Sequence, residues 1–131
     1  KWKDCDAVEK AYNRHSSVKV VPTYKVDLIT ASLIKYTINS WLATKVTFFN
    51  EIHELFEASG ANPDWEQFTD MLASDPRIGN SHMQVPGTDG KKGFGGHCFP
   101  KDTNALIYYA KLSGVKLDVL KKVISKNNDI R

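Results

Sequence analysis

The longest helical pattern in the chain is residues 27–59, which read DLITASLIKYTINSWLATKVTFFNEIHELFEAS. Mostly apolar side chains recur there at steps of three and four residues, which is the spacing of one face of an α-helix. The recurring set is Ile34, Ile38, Trp41, Leu42, Val46, Phe49, Ile52, His53 and Phe56. Asp27 in front predicts an N-cap, and Gly60 behind predicts the end. The pattern therefore predicts one helix about 50 Å long.

The apolar surface of this helix is wider than the core of a single chain requires. Leu33, Ala43, Phe48 and Leu55 extend the apolar set around the helix. A helix that is apolar on two sides is expected to be buried on both. We therefore expect a second copy of the chain to cover one side, which predicts a homodimer through helix 27–59.

Shorter patterns on either side of the long helix predict a mainly α fold. Their predicted bounds are a helix over residues 4–13, a strand over Val18–Val21 closed by Pro22, a helix capped by Asn62 that ends before Asp75, a helix after Cys98 stopped by Gly114, and a helix over residues 117–126. Residues 77–96 are predicted to be a loop, long enough to be functional.

Composition limits the class of protein. With 131 residues, 41% of them hydrophobic, the chain can bury one ordinary core. The net charge of +3 comes from 18 basic and 15 acidic residues that are interspersed, which does not favour nucleic-acid binding. No apolar run approaches the roughly 18 residues of a membrane span. Cys5 and Cys98 lie too far apart for a disulfide framework, so a reducing cytoplasm is the expected compartment.

The most distinctive short segment is residues 93–102, GFGGHCFPKD. Glycines let a backbone approach a ligand closely and expose its N–H groups. The helical pattern that follows places Cys98 just ahead of a helix N-terminus, where the dipole favours a thiolate. Cys98 is therefore a candidate nucleophile, and Asp102 is a candidate N-cap of the same helix.

This decapeptide resembles the active-site loop of the UDP-glucose 6-dehydrogenase family, within the wider UDP-glucose/GDP-mannose dehydrogenases. Residues 33–51, LIKYTINSWLATKVTFFNE, are similar to the central helix of that family, and residues 75–79, DPRIG, are similar to its D-x-R-I-G motif. The three motifs occur in order and span about residues 30–113.

The resemblance implies an enzyme that oxidises UDP-glucose to UDP-glucuronate with NAD, by two hydride transfers. The intermediates would be a thiohemiacetal and then a thioester on Cys98. The other catalytic residues implied are Lys35, which would stabilise the developing oxyanion, Asn39, which would bind substrate and water, and Asp102, which would orient the water. Asn39 follows Lys35 by one helical turn, so both can serve one site.

The resemblance also implies residues that contact the UDP-sugar. Arg77 would reach the substrate of the partner subunit, so that each site would need two chains. Phe94 and Gly95 would contact the sugar nucleotide through packing and backbone, and Lys101 is a further candidate for ligand contact. We expect no metal site, because the spacing of His82, His97 and Cys98 matches no zinc pattern.

The organisation implied is that of a middle piece of a longer enzyme. Residues 1–22 would be the C-terminal edge of an N-terminal, Rossmann-type NAD-binding domain, and residues 23–131 would be the central helical dimerisation and catalytic domain. Nothing in the chain matches the strand, G-x-G-x-x-G and helix needed for NAD, so the cofactor-binding residues are expected in the missing domain. Alone, the chain is expected to dimerise and to be inactive.

Two alternatives stay open. GDP-mannose relatives carry a similar cysteine segment, so a GDP-mannose 6-dehydrogenase is the runner-up. A non-catalytic helical dimerisation module is the other possibility. The presence of Cys98, Lys35, Asn39 and Asp102 together favours the enzyme.

Overall fold

The computed structural model describes residues 2–17 and 22–131. Within those ranges the chain forms five α-helices and no strand, which confirms the mainly α fold. The helices are α1 (Trp2–His15), α2 (Leu28–Ser59), α3 (Trp65–Ala73), α4 (Cys98–Leu112) and α5 (Asp118–Ile130). The predicted strand over Val18–Val21 lies outside the described residues. None of the described helices is long and apolar enough to cross a membrane.

The chain divides into two compact units, Lys1–Ser32 and Leu33–Arg131. In the first unit, Lys25 pairs with Asp6 and lies 3.5 Å from a carboxylate oxygen of Glu9 on α1. The second unit holds most of α2 with α3, α4 and α5. It therefore contains every residue that the sequence predicts for the site.

Both predicted ends of the long helix are confirmed. The backbone N–H groups of Ile29 and Thr30 donate to Asp27 Oδ1 at 2.9 and 3.0 Å, so Asp27 caps α2. A hydrogen bond from the Thr30 hydroxyl, together with those backbone bonds, lowers the pKa of Asp27. Gly60 has a φ of 68°, the left-handed conformation in which helices commonly end.

Helix α2 has apolar residues on a buried side and on an exposed side. The buried ones are Ala43, Phe49 and Phe56, at 0, 5 and 9% exposure. Four of the exposed ones recur at steps of seven, and these are Ile34, Trp41, Phe48 and Leu55, at 48, 61, 53 and 66% exposure. A straight helix drifts only about 20° per seven residues, so these four share one face. The wide apolar surface predicted from the sequence is confirmed.

An aromatic cluster joins α2 to α3. The ring of Phe56 on α2 lies 5.4 Å from that of Trp65 and 4.9 Å from that of Phe68, both on α3. Trp65 Nε1 donates to the carbonyl of Met83 at 3.1 Å. The loop that follows α3 is thereby tied to the aromatic cluster.

Predicted helix bounds differ from the structure at α1, expected over residues 4–13 and found at Trp2–His15, and at α3 and α5. Asn62 was expected to cap α3, but Asp64 caps it, accepting from the Gln67 N–H at 2.8 Å. Trp65 is the first residue of α3, so Asp64 is the side chain placed to reach its free amides. Helix α5 was expected to end at Lys126 and instead reaches Ile130, because its last turns pack on the glycine-rich loop (residues 93–96), where Asn127 is buried.

Candidate functional site

Cys98 is the first residue of α4 and is exposed. His97 precedes it at the N-cap position without a side-chain capping bond, so the first turn is left open. Pro100 is accommodated in that turn because the amides there need no partner within the helix. A helix N-terminus favours negative charge, and an accessible sulfur at this position suits a nucleophile.

Asp102 is fully buried on the same helix, at 0% exposure. Asn39 Nδ2, on α2, donates to Asp102 Oδ2 at 2.5 Å. Lys101 bonds to the other carboxylate oxygen, and Lys35 Nζ lies 3.9 Å from Oδ2. The structure thus brings Lys35, Asn39, Lys101 and Asp102 together.

The electrostatics keep this buried carboxylate ionised. The bond from Lys101 is the largest cause lowering the pKa of Asp102, and the bond from Asn39 and the charges of both lysines act in the same direction. They outweigh the burial of the carboxyl, which alone would raise its pKa. The same bond raises the pKa of Lys101, with smaller contributions from Tyr36 and Cys98.

The prediction that Asp102 caps α4 is wrong. Helix α4 begins at Cys98, so Asp102 lies in its second turn, beyond reach of the free first-turn amides. Its carboxylate is instead turned towards α2 and bonded to Asn39. Because an α-helix has 3.6 residues per turn, Asp102, four residues after Cys98, lies about one turn beyond it on the same side of α4.

Lys35 and Asn39 stand one turn apart on α2, as their spacing predicts. Asn39 is half-buried against Asp102, whereas the Lys35 side chain is 63% exposed. Lys35 can therefore extend its ammonium towards a ligand while staying near the carboxylate.

A cavity of about 420 Å³ lies beside the glycine-rich loop. Its lining includes His82, Gln84, Gly93, Phe94, Gly95, Gly96 and Phe99. The volume falls in the range of small-molecule sites. Phe94 and Gly95, both predicted to contact ligand, thus face one cavity. Cys98 lies in the sequence between two lining residues, Gly96 and Phe99.

Arg77 stands apart from these groups. Its guanidinium bonds to Asp75, with Nη2 2.6 Å from Oδ2, and its side chain is 87% exposed. That bond raises the pKa of Arg77 and lowers the pKa of Asp75. Across the described residues, no hydrogen bond or ion pair joins Arg77 to the Lys35 and Asp102 cluster. A single chain therefore does not bring Arg77 into the site.

Three buried polar residues that bond to the loop between α3 and α4 were not predicted. Lys45 is 6% exposed, and its Nζ donates to the carbonyls of Ile78 and Gly79 at 2.9 and 3.2 Å. Burial lowers its pKa. Asn50 and Asn127, at 2 and 4% exposure, bond to the backbone of the glycine-rich loop. Their position in the sequence could have revealed them, because a polar side chain inside an apolar helical pattern needs a hydrogen-bonding partner when it is buried.

Within the described ranges, no group of three or more His, Cys, Asp or Glu side chains could hold a metal ion. His82, considered above as a candidate ligand, lines the cavity, and its ring lies 5.7 Å from that of Phe99. Burial, together with the charge of Lys45, lowers the pKa of His82.

Comparison with known proteins finds UDP-glucose and GDP-mannose 6-dehydrogenases among the relatives of the chain. The chain is 40% identical over 109 residues to the UDP-glucose 6-dehydrogenase YwqF of Bacillus subtilis, covering 83% of the chain and 23% of that protein. It is 38% identical over 126 residues to a UDP-glucose 6-dehydrogenase of Rickettsia conorii, covering 95% of the chain and 27% of that protein. It is 37% identical over 107 residues to a GDP-mannose 6-dehydrogenase of Pseudomonas savastanoi pv. phaseolicola, covering 81% and 23%.

The chain spans about a quarter of the length of the curated relatives it matches. Comparison with models of protein families gives the bounds of the matched part. Residues 29–129 match the model of the UDP-glucose/GDP-mannose dehydrogenase family, central domain. This range covers α2 to α5 nearly whole, with the cluster around Asp102 and the cavity beside the loop. The chain therefore belongs to the UDP-glucose/GDP-mannose dehydrogenase family, whose central domain it matches.

Proposed function

We propose that this chain is the catalytic and dimerisation core of an NAD-dependent nucleotide-sugar 6-dehydrogenase that oxidises UDP-glucose to UDP-glucuronate. The observation that carries the proposal is the ionised, buried Asp102, held by Asn39 one turn beyond an exposed Cys98. Two of the relatives described above are named UDP-glucose 6-dehydrogenases, which supports the choice of substrate.

The hydride acceptor would be NAD, bound outside the part of the chain that the structure describes. Those residues contain helices and loops only, and so do not fit the strand, glycine turn and helix that a dinucleotide needs. We accordingly expect the 131-residue chain alone to be inactive.

Cys98 is the nucleophile of the proposed reaction. Its thiolate adds to the C6 aldehyde formed by the first oxidation, giving a thiohemiacetal. The second oxidation removes the hydride from that carbon and leaves a thioester. Water then attacks the thioester carbonyl, and the carbon–sulfur bond breaks to release the uronate and the thiolate. A thiolate suits both steps because it adds readily to carbonyls and leaves readily from acyl groups.

Lys35 stabilises the negative charge that develops in these steps. Asn39 and Asp102, which are bonded to each other, bind and orient the water. The exposed ammonium of Lys35 donates to the oxygen that becomes negative when Cys98 or water adds. Asn39 binds the water, and the Asp102 carboxylate orients it and supports the transfer of its proton. The Lys101 ammonium keeps the carboxylate charged.

The partner we propose is a second copy of the chain, bound along α2. The exposed apolar face formed by Ile34, Trp41, Phe48 and Leu55 runs most of the length of that helix. A continuous face of this kind is typical of an interface between helices. In such a dimer the outward-facing Arg77 would reach the substrate of the partner subunit.

The proposal competes with two alternatives. A GDP-mannose 6-dehydrogenase is favoured by the relative of that name, whose identity of 37% is close to the 40% of the UDP-glucose enzyme. A non-catalytic dimerisation module is favoured only by the exposed face of α2. In such a module the cluster around Asp102 would have only a structural role.

The test is NADH production by the full-length polypeptide proposed to carry this chain. We expect turnover with UDP-glucose, and little with GDP-mannose at the same concentration. The reverse preference would move the substrate to GDP-mannose and leave the roles of Cys98 and Asp102 intact. No turnover with either sugar nucleotide would leave the dimerisation module as the better account.

A further inference from the structure

Two buried asparagines hold the backbone of the glycine-rich loop ahead of Cys98. Asn127 Oδ1, on α5, accepts from the Phe94 N–H at 2.6 Å, and Asn127 Nδ2 donates to the Phe94 carbonyl at 3.0 Å. Asn50 Oδ1, on α2, accepts from the Gly93 N–H at 3.1 Å. We call these two side chains the asparagine bracket.

The loop also presses closely on α5 at this point. A Cβ added to Gly93 would lie 2.6 Å from Asn127 Oδ1 and 3.4 Å from Ile130 Cγ1. A Cβ on Gly95 would overlap the guanidinium of Arg131. The glycines therefore let the backbone come within hydrogen-bonding reach of Asn127, and any side chain there would push the loop away.

A carboxamide is the side chain that fits the position of Asn127. Phe94 presents a donor and an acceptor, and the carboxamide of Asn127 answers both from one planar group. Asn127 and Phe94 are each 4% exposed, so water cannot replace either bond. An aspartate would leave the Phe94 carbonyl facing a second acceptor, and a leucine would leave both backbone groups unsatisfied.

We infer that the asparagine bracket is a positioning device, through which α5 and α2 set the affinity of the site for its nucleotide sugar. The inference rests on the function proposed above. Phe94 and Gly95 line the cavity, whereas neither Asn50 nor Asn127 does. The bracket therefore acts through the loop, by fixing the backbone and ring that the ligand would touch. Cys98 follows the loop on α4, which has its own hydrogen bonds.

The first test is amide hydrogen exchange in the 131-residue chain. We expect Asn127→Leu to speed exchange at Phe94 by about tenfold or more, the change that follows from losing about one net hydrogen bond. The exchange of the Phe49 amide in the core of α2 should stay unchanged. Asn128→Leu is the matched control, because Asn128 is the next residue of α5 and is exposed. Equal exchange at Phe94 in both variants would overturn the inference.

The second test is steady-state kinetics of the full-length polypeptide with UDP-glucose. We expect Asn127→Leu to raise KM by about tenfold with kcat within about twofold, because the ligand must first order the loop. A loss of kcat alone, or kinetics equal to those of Asn128→Leu, would contradict a positioning role. If Asn127→Leu does not fold, Asn127→Asp keeps the acceptor for Phe94 and should still raise KM.

The two tests separate failure of the bracket from failure of the proposed function. If the unsubstituted polypeptide turns over no nucleotide sugar, the proposed function is wrong, and exchange at Phe94 alone decides whether the bracket holds the loop. If turnover is normal and Asn127→Leu leaves KM unchanged, only the bracket is wrong.

Discussion

Asn39 on α2 donates its side-chain amide to the buried carboxylate of Asp102 on α4, across 63 residues of sequence, with Nδ2 and Oδ2 2.5 Å apart. This bond joins the long helix to the helix that begins with Cys98. Lys35, one turn before Asn39, lies 3.9 Å from the same oxygen. The site therefore depends on the packing of α2 against α4, and substitutions there should affect stability and activity together.

Asp102→Asn should lower both stability and activity. The pKa of Asp102 is lowered from its ordinary value of 3.8, so its charge stabilises the fold above that pH and the contribution is lost as pH falls through the folded pKa. The difference in unfolding free energy between wild type and variant should be constant above about pH 5 and shrink below the ordinary pKa. In the full-length polypeptide, kcat should fall by about 10²–10⁴-fold.

Urea unfolding at several pH values measures this difference. Asp118→Asn is the control, because the Asp118 side chain is 76% exposed and lies outside the site. A difference that grew as the pH fell would show that Asp102 is not held as an ion.

Lys45→Met should change how stability depends on alkaline pH. Burial lowers the pKa of Lys45 below its ordinary value of 10.5, so between those two values the unfolded chain binds more protons than the folded one. The stability of wild type relative to Lys45→Met should therefore rise as the pH rises towards 10.5. Unfolding of both chains between about pH 7 and 11 checks this, with the exposed Lys111→Met as control. A difference independent of pH would contradict it.

Trp41→Glu should weaken the proposed dimer. Trp41 is 61% exposed on the apolar face of α2, and placing a charge there would cost about 2 kcal/mol or more of association free energy if the face is buried by a second copy. Sedimentation equilibrium of the 131-residue chain measures the change. Met71→Glu, on α3 at 58% exposure, is the control and should leave association unchanged. If wild type is a monomer at all concentrations tested, the proposed dimer is wrong.

Cys98 should react with iodoacetamide faster than Cys5. Cys98 is exposed at a helix N-terminus, whereas Cys5 is partly buried on α1. Peptide mapping after brief alkylation gives both rates in one sample of the 131-residue chain. The Cys98→Ser and Cys5→Ser variants confirm the assignment of each rate. Equal rates, or a faster Cys5, would argue against an activated thiol at the start of α4.

Local signals in the sequence predicted the helices well. Asp27, Gly60 and the three- and four-residue spacing between them act within a few residues, and the ends of α2 are where they predict. The cap of α3 was misplaced because Asn62 and Asp64 are both good capping residues, and packing of Trp65 decides which is used. The strand over Val18–Val21 stays a prediction.

The sequence singled out the residues that the structure brings together around Asp102, but it predicted only part of the contacts between them. The spacing of Lys35 and Asn39 showed that they share a face of α2, but their common partner lies on another helix. The capping role given to Asp102 failed for that reason, since its bond to Asn39 depends on packing between distant segments. Asn50 and Asn127 were missed, although a polar residue inside an apolar helical pattern indicates that its side chain needs a partner.

The central claim is that Cys98 carries the second half of a double oxidation. The most direct measurement is the ratio of NADH formed to UDP-glucose consumed by the full-length polypeptide and by its Cys98→Ser variant. The account predicts two NADH per sugar in the wild type and no sustained turnover in the variant, with Cys5→Ser behaving as wild type. Sustained production of UDP-glucuronate by Cys98→Ser at the wild-type rate would contradict the account.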